Sequence, residues 1–485
     1  MQAPAEPKDS QKYQPGKSGF GAGGKLCLFG ASVRTAAESA RLAGYEVYAV
    51  DRFGDRDTLA VSKQHLQMPD LTQVSEDTYQ AFRNSVVSLT NQMPFLVVGG
   101  VRASERLLKS LPLQPSGMQQ LKAASQLRLI QILQEACCGT LFRIPVSWNL
   151  GDTNTLGSNL GERDFGSSPY LLKDLSDSGG LGVSWYQCGM IQGNSQIARS
   201  AVVQQWVPGR LYGSSFLSNG REVAILGTCQ GRFTRIQDLP FVYTGSRGPI
   251  SVDALIREAL LQVAERLIRR TGFRGIFNLD WVKAKSERPY LIEVNPRWSG
   301  AVEILEMAWK RRLANSKEEK PFQSIIRWVV DAIQGDPLPP VLNQLKIPDR
   351  GFINTSANPN QDQPAPARSN FAHTDTKQLN SPTEPTQSTA LRDRTSNVFV
   401  SELFQKRIIF SRGNQVFDPD QLSIELGPGE SLHDLPAKTI RLRRGEPVCT
   451  LMIRYPQDQS SAPVCRYRRV VKSLSTGHAV DHRIP

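Results

Sequence analysis

Two apolar segments joined by a short charged turn, Gly275 to Val282 (GIFNLDWV) and Tyr290 to Gly300 (YLIEVNPRWSG), constrain this chain more than any other feature. Both read as strands, and the brevity of Lys283 to Pro289 makes them antiparallel neighbours in a sheet. Strand side chains alternate between faces, so this pairing can set Asp280 across from Glu293. Asn295 lies two residues further on the same face, and Arg297 again shares that parity. Two carboxylates and a carboxamide oxygen converging on one face are hard ligands suited to Mg²⁺, which keeps several waters and takes its remaining oxygens from phosphates. Arg297 can grip an anionic substrate or a transferred phosphoryl group bidentately. A solvated strand face would explain alternating charges, but not a Glu-Val-Asn-Pro-Arg run inside apolar flanks.

Two segments upstream point to phosphate and purine. Residues 169 to 183 (PYLLKDLSDSGGLGV) read as a strand, Tyr170 to Leu172, that leads to Lys173 and then to a turn containing Gly179, Gly180 and Gly182. A lysine at a strand end supplies a point charge, and a glycine turn brings backbone N–H groups over phosphates with no Cβ in the way. No GK[ST] follows, so the segment is not a P-loop. Val202 to Gly209 (VVQQWVPG) reads as a strand that ends in Pro-Gly, with Gln204, Gln205 and Trp206 before the break. Backbone groups freed there, beside apolar side chains, suit the edge and face of an adenine.

The N-terminal region reads as a small open α/β domain. Lys25 to Phe29 is a strand, Val33 to Ala43 a helix stopped by Gly44, and Glu46 to Val50 a second strand ending at Asp51. A helical stretch near 77 to 91 leads to a further strand, Phe95 to Val98, so the sheet is expected to be parallel. Gly30 and Asp51 invite an NAD(P)-binding reading, but GASVRT has one glycine where the dinucleotide fingerprint wants three. The preferred role for the Gly30 turn is a contribution to a substrate cleft at the strand ends. Met118 to Ala136 carries apolar residues at helical spacing and reads as a core-facing helix.

Composition excludes several classes. A chain of 485 residues suggests about three domains, and 39% hydrophobic content supplies real cores. No run approaches the roughly 20 apolar residues of a membrane helix, and the N-terminus lacks the apolar core of a signal peptide. Seven cysteines without a CxxC pair fit a reduced, cytoplasmic compartment. The net charge of +13 is spread along the chain, with one local cluster at Arg466, Arg468, Arg469 and Lys472. No RNA-binding or helix-turn-helix signature accompanies it, so neither nucleic acid nor membrane is expected as a partner.

In order and spacing, these elements resemble the ATP-grasp family over residues 25 to 335. The resemblance implies ATP and Mg²⁺ as cofactors, with two ions and Mn²⁺ as a substitute, and small-molecule carboxylate and amine substrates. Residue by residue, Lys173 matches the phosphate-binding lysine and Gly179 to Gly182 the mobile glycine loop. Gln204, Gln205, Trp206 and Val207 match the adenine linker, Asp280, Glu293 and Asn295 the metal ligands, and Arg297 the arginine of E-x-N-x-R. The implied activity is a carboxylate–amine ligase working through an acyl phosphate, with Lys173 and Arg297 supplying positive charge. Dimers are common in the family, so a homodimer is compatible. The sequence departs from many relatives in lacking a glutamate in the linker and another for ribose, where Gly209-Arg210-Leu211-Tyr212 stands. An additional helix lysine has only Lys122 and Arg128 as candidates, and that role is not carried over.

The domain layout expected is a disordered tail over 1–24, the α/β domain over 25–115 and a two-lobed catalytic domain over 116–340. A disordered linker over 354–397, rich in Asn, Gln, Pro, Ser and Thr, then leads to a small β-rich unit over 398–475. Residues 30 to 58, with GEPVCTL near Cys449, further resemble bacterial ATP-grasp proteins encoded with tetrahydromethanopterin-linked one-carbon genes. That group is similar to tyramine–glutamate ligase, which implies glutamate as the carboxylate and an aromatic amine as its acceptor. Competing readings are a non-catalytic nucleotide-binding regulator on the same scaffold and an NAD(P)-dependent oxidoreductase.

Overall fold

The computed structural model describes residues 23–100, 105–109, 111, 126–149, 169–174, 179–186, 201–284, 288–314, 322–345, 402–422, 424–456, 466, 467 and 470. The expected disordered linker over 354–397 and nearly all of the expected N-terminal tail lie outside these residues. No helix among those described is long and apolar enough to cross a membrane.

The N-terminal unit alternates strand and helix. Strands β1 (Lys25–Phe29), β2 (Glu46–Asp51), β3 (Ser62–Gln67) and β4 (Phe95–Val97) form a parallel sheet in the order β3-β2-β1-β4. Helices α1 (Arg34–Leu42), α2 (Arg56–Val61), α3 (Glu76–Gln92) and α4 (Glu105–Lys109) lie between and after the strands. Gly44 stops α1 at φ +85°, with its N–H bonded to the Arg41 carbonyl. The strand β3, whose sequence SKQHLQ is polar, carries no apolar signal and was not expected; it sits at the sheet edge, half in solvent.

Helix α5 (Gln126–Cys137) carries the later part of the core-facing helix expected over Met118 to Ala136, with Ile132, Leu133 and Ala136 buried; residues 118–125 lie outside the described residues. A small antiparallel sheet follows, of β5 (Ser147–Asn149), β6 (Tyr170–Asp174), β7 (Val183–Trp185) and β8 (Ala201–Gln205), in the order β5-β8-β6-β7. Next come β9 (Gly209–Asn219), β10 (Val223–Ile236), β11 (Leu239–Gly248), helix α6 (Ala254–Thr271), β12 (Arg274–Ala284) and β13 (Tyr290–Asn295). Helices α7 (Val302–Ala314) and α8 (Ile325–Gln334) close this part, with α7 against β10 and β11, and α8 against β9 and β12. Asp253 caps α6 by accepting from the Leu255 N–H, and Gly272 in the left-handed region ends it.

The C-terminal strands are β14 (Glu402–Phe410), β15 (Gln415–Phe417), β16 (Glu430–His433), β17 (Ile440–Leu442) and β18 (Pro447–Pro456). Only β15 and β17 stand apart as a ribbon; the others extend the large sheet, whose order is β13-β12-β9-β10-β11-β14-β18-β16. The β-rich segment is thus present but hydrogen-bonded into the large sheet, because β11 offers an edge that β14 takes. One apolar cluster joins the N-terminal unit to the large sheet and contains the fully buried Trp281 and Trp309; Cys449, as expected of a core residue, lies in a second cluster on the C-terminal strands.

Candidate functional site

Strands β12 and β13 meet in the expected register, with Asp280 opposite Glu293 and Asn278 opposite Asn295. The register slips between Asp280 and Trp281, which stands opposite Leu291, so Ile292 has no partner. This bulge lets Leu291 stay in the core with Trp281 while Glu293, only two residues on, is turned to the carboxylate side. Asn295 Nδ2 donates to Asp280 Oδ2 at 2.7 Å and to Glu293 Oε1 at 3.0 Å. Asn278 donates to the other Asp280 oxygen and accepts from Ser215 at 3.1 Å. Gly213, opposite Asp280 on β9, keeps the space open: a Cβ there would lie 3.0 Å from Asp280 Oδ1.

Arg297 reaches the cluster by another route than the one expected. Pro296 ends the strand, since it has no N–H for the ladder, and Arg297 sits in the turn beyond, its N–H bonded to the Asn295 carbonyl. Its Nη2 donates to Asn295 Oδ1 at 3.0 Å. Lys173, 9% exposed, comes from β6 in the other sheet and places Nζ 3.7 Å from Glu293 Oε2.

Burial and the neighbouring Glu293 push the Asp280 carboxyl well above the ordinary carboxylate range, with Arg297 and Lys173 opposing. Burial acts on Glu293 in the same direction, but Lys173, the Asn295 amide and Arg297 outweigh it and hold this carboxyl low. Burial lowers Arg297, with both carboxylates opposing. The pair therefore holds one proton more readily than two isolated acids would, which is the behaviour of oxygens assembled for a cation.

The glycine turn links β6 to β7 and packs on the large sheet. Gly179 and Gly180 have φ +67° and +80°, and Gly179 accepts from the Tyr243 N–H at 2.9 Å. A Cβ on Gly180 would lie 1.7 Å from the Phe241 carbonyl oxygen, so only glycine fits there. Gly182 accepts from the Asp174 N–H at 2.8 Å and closes the hairpin.

The linker between the sheets runs from the end of β8 to the start of β9. The N–H groups of Gln205 and Trp206 are used within the small lobe, on the Val146 and Pro169 carbonyls. The Gln204 side chain is likewise committed, donating to Ser147 at 3.1 Å and to the Ile292 carbonyl freed by the bulge at 3.3 Å. Val207 is the linker residue whose backbone takes no partner among the described residues. Trp206 packs edge-on against Trp185, with centroids 5.5 Å apart, and Trp185 against Phe241 at 5.3 Å.

The N-terminal sheet meets this site at its strand ends. Gly99 donates to the Trp298 carbonyl, and Trp298 Nε1 to Thr35 at 2.9 Å. Gly30 passes so close to β4 that a Cβ would lie 1.8 Å from the Val98 oxygen. Asp51, fully buried, accepts from the backbone of Val33, Phe53 and Gly54 and bonds His65 at 2.8 Å. Its oxygens are committed to shaping this turn, not held out toward a ribose.

Sequence reasoning missed a buried ion-pair hub. Arg34 on α1, 0% exposed, pairs with Glu303 at 2.7 Å, Glu38 at 2.9 Å and Asp434. Lys406 on β14 pairs with Glu303 at 2.7 Å. Glu38, Glu303 and His433 present ligand atoms within 4.8 Å of one another, yet Arg34 and Lys406 already balance these acids, which makes the group a clasp rather than a cation site. Its members lie up to 400 residues apart, and the one local sign was an arginine sharing a helix face with Ala37.

A sequence model of the ATP-grasp domain matches residues 152–301, which contain Lys173, the glycine turn, the linker, Asp280, Glu293, Asn295 and Arg297. No curated protein matches the chain in sequence. Among solved structures, N5-carboxyaminoimidazole synthetase from Staphylococcus aureus complexed with ADP is similar at TM-score 0.55 and 14% identity, covering 94% of this chain and 98% of that one. An L-amino acid ligase from Bacillus licheniformis is similar at TM-score 0.54 and 13% identity, covering 93% and 97%. A biotin carboxylase from Campylobacter jejuni, in complex with a β,γ-ATP ligand, is similar at TM-score 0.54 and 10% identity, covering 92% and 91%. Residues 152–301 thus carry an ATP-grasp domain, within a mixed α/β structure that has the ATP-grasp fold.

Proposed function

We propose that this protein is an ATP-dependent ligase that activates a carboxylate as its acyl phosphate and passes the acyl group to an amine. One observation carries the reading: Asp280, Glu293 and Asn295 converge on one face while Lys173 arrives from the other sheet, 3.7 Å from Glu293. The structures it resembles include proteins captured with ADP or an ATP ligand, and a ligase of amino acids.

The donor set fits Mg²⁺. Asp280 and Glu293 would hold the ions, with Asn295 turning its oxygen inward, and the oxygen ligands suit Mn²⁺ as a substitute. Bound Mg²⁺ would neutralise phosphate charge. Lys173 places a cation beside the same carboxylates and can hold a phosphate that approaches them. Arg297, held by the Asn295 oxygen in the ligand-free protein, is released when that oxygen turns to the ions and can then grip the carboxylate substrate in two-point fashion. A carboxylate oxygen then attacks the terminal phosphorus, ADP leaves, the amine nitrogen attacks the acyl carbon, and phosphate departs as the amine loses its proton. Such chemistry asks chiefly for positioning and charge, which these residues supply. The Val207 backbone and the Trp206–Trp185 cluster offer the edge and apolar wall for adenine. Glutamate with an aromatic amine, in methanopterin-type cofactor synthesis, is the narrower form of the proposal. It rests on residues 30 to 58 and the GEPVCTL segment.

The test is ADP release from ATP, screened against pairs of amino acids and amines beginning with glutamate and tyramine. Mg²⁺-dependent ADP with one pair is the expected result. Nucleotide binding without ADP from any pair would favour a non-catalytic regulator. A second expectation concerns the glycine turn. Gly180→Ala puts a Cβ into the Phe241 carbonyl at a positive φ, so the turn cannot seat on β11. The ATP concentration for half-maximal turnover should rise about tenfold, as a cost of about 1–2 kcal/mol implies. Steady-state kinetics at saturating substrates read it, and an unchanged value would mean that seating is irrelevant to ATP capture.

A further inference from the structure

We infer that the large sheet carries a second anion site, on the face opposite the catalytic carboxylates, that takes a small multivalent phosphate-type oxyanion such as diphosphate. Three neighbouring strands build it. In one row Arg232 on β10 stands opposite Gly245 on β11, which stands opposite Arg407 on β14. In the next row Gln230 stands opposite Arg247, and Arg247 opposite Gln405. Directly opposed residues project to the same face, as do residues two apart on a strand. Three guanidinium groups and two carboxamides therefore share a patch two strand spacings wide, about 10 Å.

The alternation of the strands separates this patch from the active site. Asp280 stands opposite Gly213, and Gly213 opposite Cys229, so the next residue, Gln230, projects to the other side. Lys406, between Gln405 and Arg407, likewise points away, to Glu303 at 2.7 Å. At the centre of the patch Gly245 has φ +136°, and a Cβ would lie 2.0 Å from the Lys406 carbonyl oxygen. The floor between Arg232 and Arg407 is therefore bare.

The charges on the patch are unbalanced. None of the three arginines pairs with a carboxylate among the described residues; Arg247 Nε donates to Gln230 at 2.8 Å, and Arg407 lies against the Gln405 carboxamide, whose oxygen accepts from it once the amide is turned over. Exposure is graded, from Arg232 at the rim to Arg407 at the floor, 6% exposed and 5.0 Å from the Tyr467 ring. Burial first, then Arg232 and Arg247, bring the Arg407 guanidinium down to about 10. A merely solvated basic face would leave all three side chains in water, whereas a buried cation beside like charges is unfavourable until an anion joins it. The guanidinium forks match phosphate oxygens, and a ligand with oxygens on two centres spans the bare floor. Tyr467, the neighbour of Arg466 in the chain, closes over Arg407 at one side of the patch.

Calorimetric titration of the full chain with inorganic pyrophosphate, in chelator without Mg²⁺, tests the assignment. The wild type and Lys173→Ala should bind it one-to-one, with affinity falling as salt rises. Arg247→Gln and Arg232→Gln should each weaken binding about tenfold or more. The same two variants, free of ligand at low salt, should melt at a higher temperature than the wild type, because like-charge repulsion is relieved; a purely structural role for these arginines would lower it. No binding by the wild type, or binding unchanged in Arg247→Gln, overturns the site. Binding lost only in Lys173→Ala assigns the ligand to the nucleotide cleft and overturns it as well. Succinate bound as tightly as pyrophosphate overturns the phosphate assignment.

Discussion

Glu293→Gln is expected to cut Mg²⁺-dependent ADP formation by about 10²-fold or more, because one anionic ligand and the partner of Lys173 disappear together. Asp280→Asn should do the same and, in the ligand-free protein, raise stability at neutral pH. The folded-state carboxyl of Asp280 is raised above its ordinary value by burial and by Glu293. The folded protein therefore keeps a proton that the unfolded chain has lost, and ligand-free stability falls as pH climbs through that window. Asparagine removes this contribution, so the advantage of Asp280→Asn over the wild type should grow from pH 5 to pH 8. Mg²⁺ must displace the same proton, so its affinity should rise with pH and its binding should release protons. Urea denaturation at the two pH values, with ADP formation measured in parallel, decides the matter. A variant less stable than the wild type at pH 8 would mean that the carboxylates hold the fold together instead of straining it.

Arg34→Met is expected to have the largest effect on stability, a loss of about 3–5 kcal/mol, since it leaves the buried Glu303 and the half-buried Glu38 and Asp434 without their shared cation. The clasp joins α1, α7 and the segment after β16, so the loss should loosen the C-terminal strands from the N-terminal unit. Burial would raise Glu303, but Lys406 and Arg34 together hold it at about 2. A depressed carboxylate stabilises above its ordinary value near 4.5 and loses that contribution as pH falls toward 2. In the variant Glu303 titrates higher, and the orphaned acids accept protons more readily. Glu38 is already at about 7 in the wild type, chiefly through burial. The deficit should therefore shrink between pH 8 and pH 5. Denaturant titration of both proteins measures it, and a loss under about 1 kcal/mol at pH 8 would show the clasp to be no stronger than a surface pair.

Much of the candidate site was legible because it depends on local alternation. The strand period of two set Asp280, Glu293 and Asn295 on one face once the short turn had made their strands neighbours. Gly179 and Gly180 were legible for a similar reason, since a turn with positive φ asks for glycine at fixed places. Arg297 was assigned to the cluster for the wrong local reason. Parity put it on the strand, whereas Pro296 ends the strand and a turn brings the side chain back. Gln204 was read as a purine contact, yet its side chain is consumed at the bulge, an irregularity that no spacing announces. β3 was missed because an edge strand half in water carries no apolar run.

By itself the sequence determined several of the strands and helices around the site, which residue types face together within a hairpin, and where glycine is required. Those are interactions between residues a few positions apart, and the backbone's fixed periods write them directly into residue order. Only the tertiary structure decided that Lys173 crosses from one sheet to meet Glu293 in another, and that Arg34 gathers acids from both ends of the chain. It alone decided that the C-terminal strands continue the large sheet and line up Arg407 with Arg232. These outcomes follow from register between strands distant in sequence, which the burial of the shared core and the pairing of a free sheet edge select together, and no local pattern carries that choice.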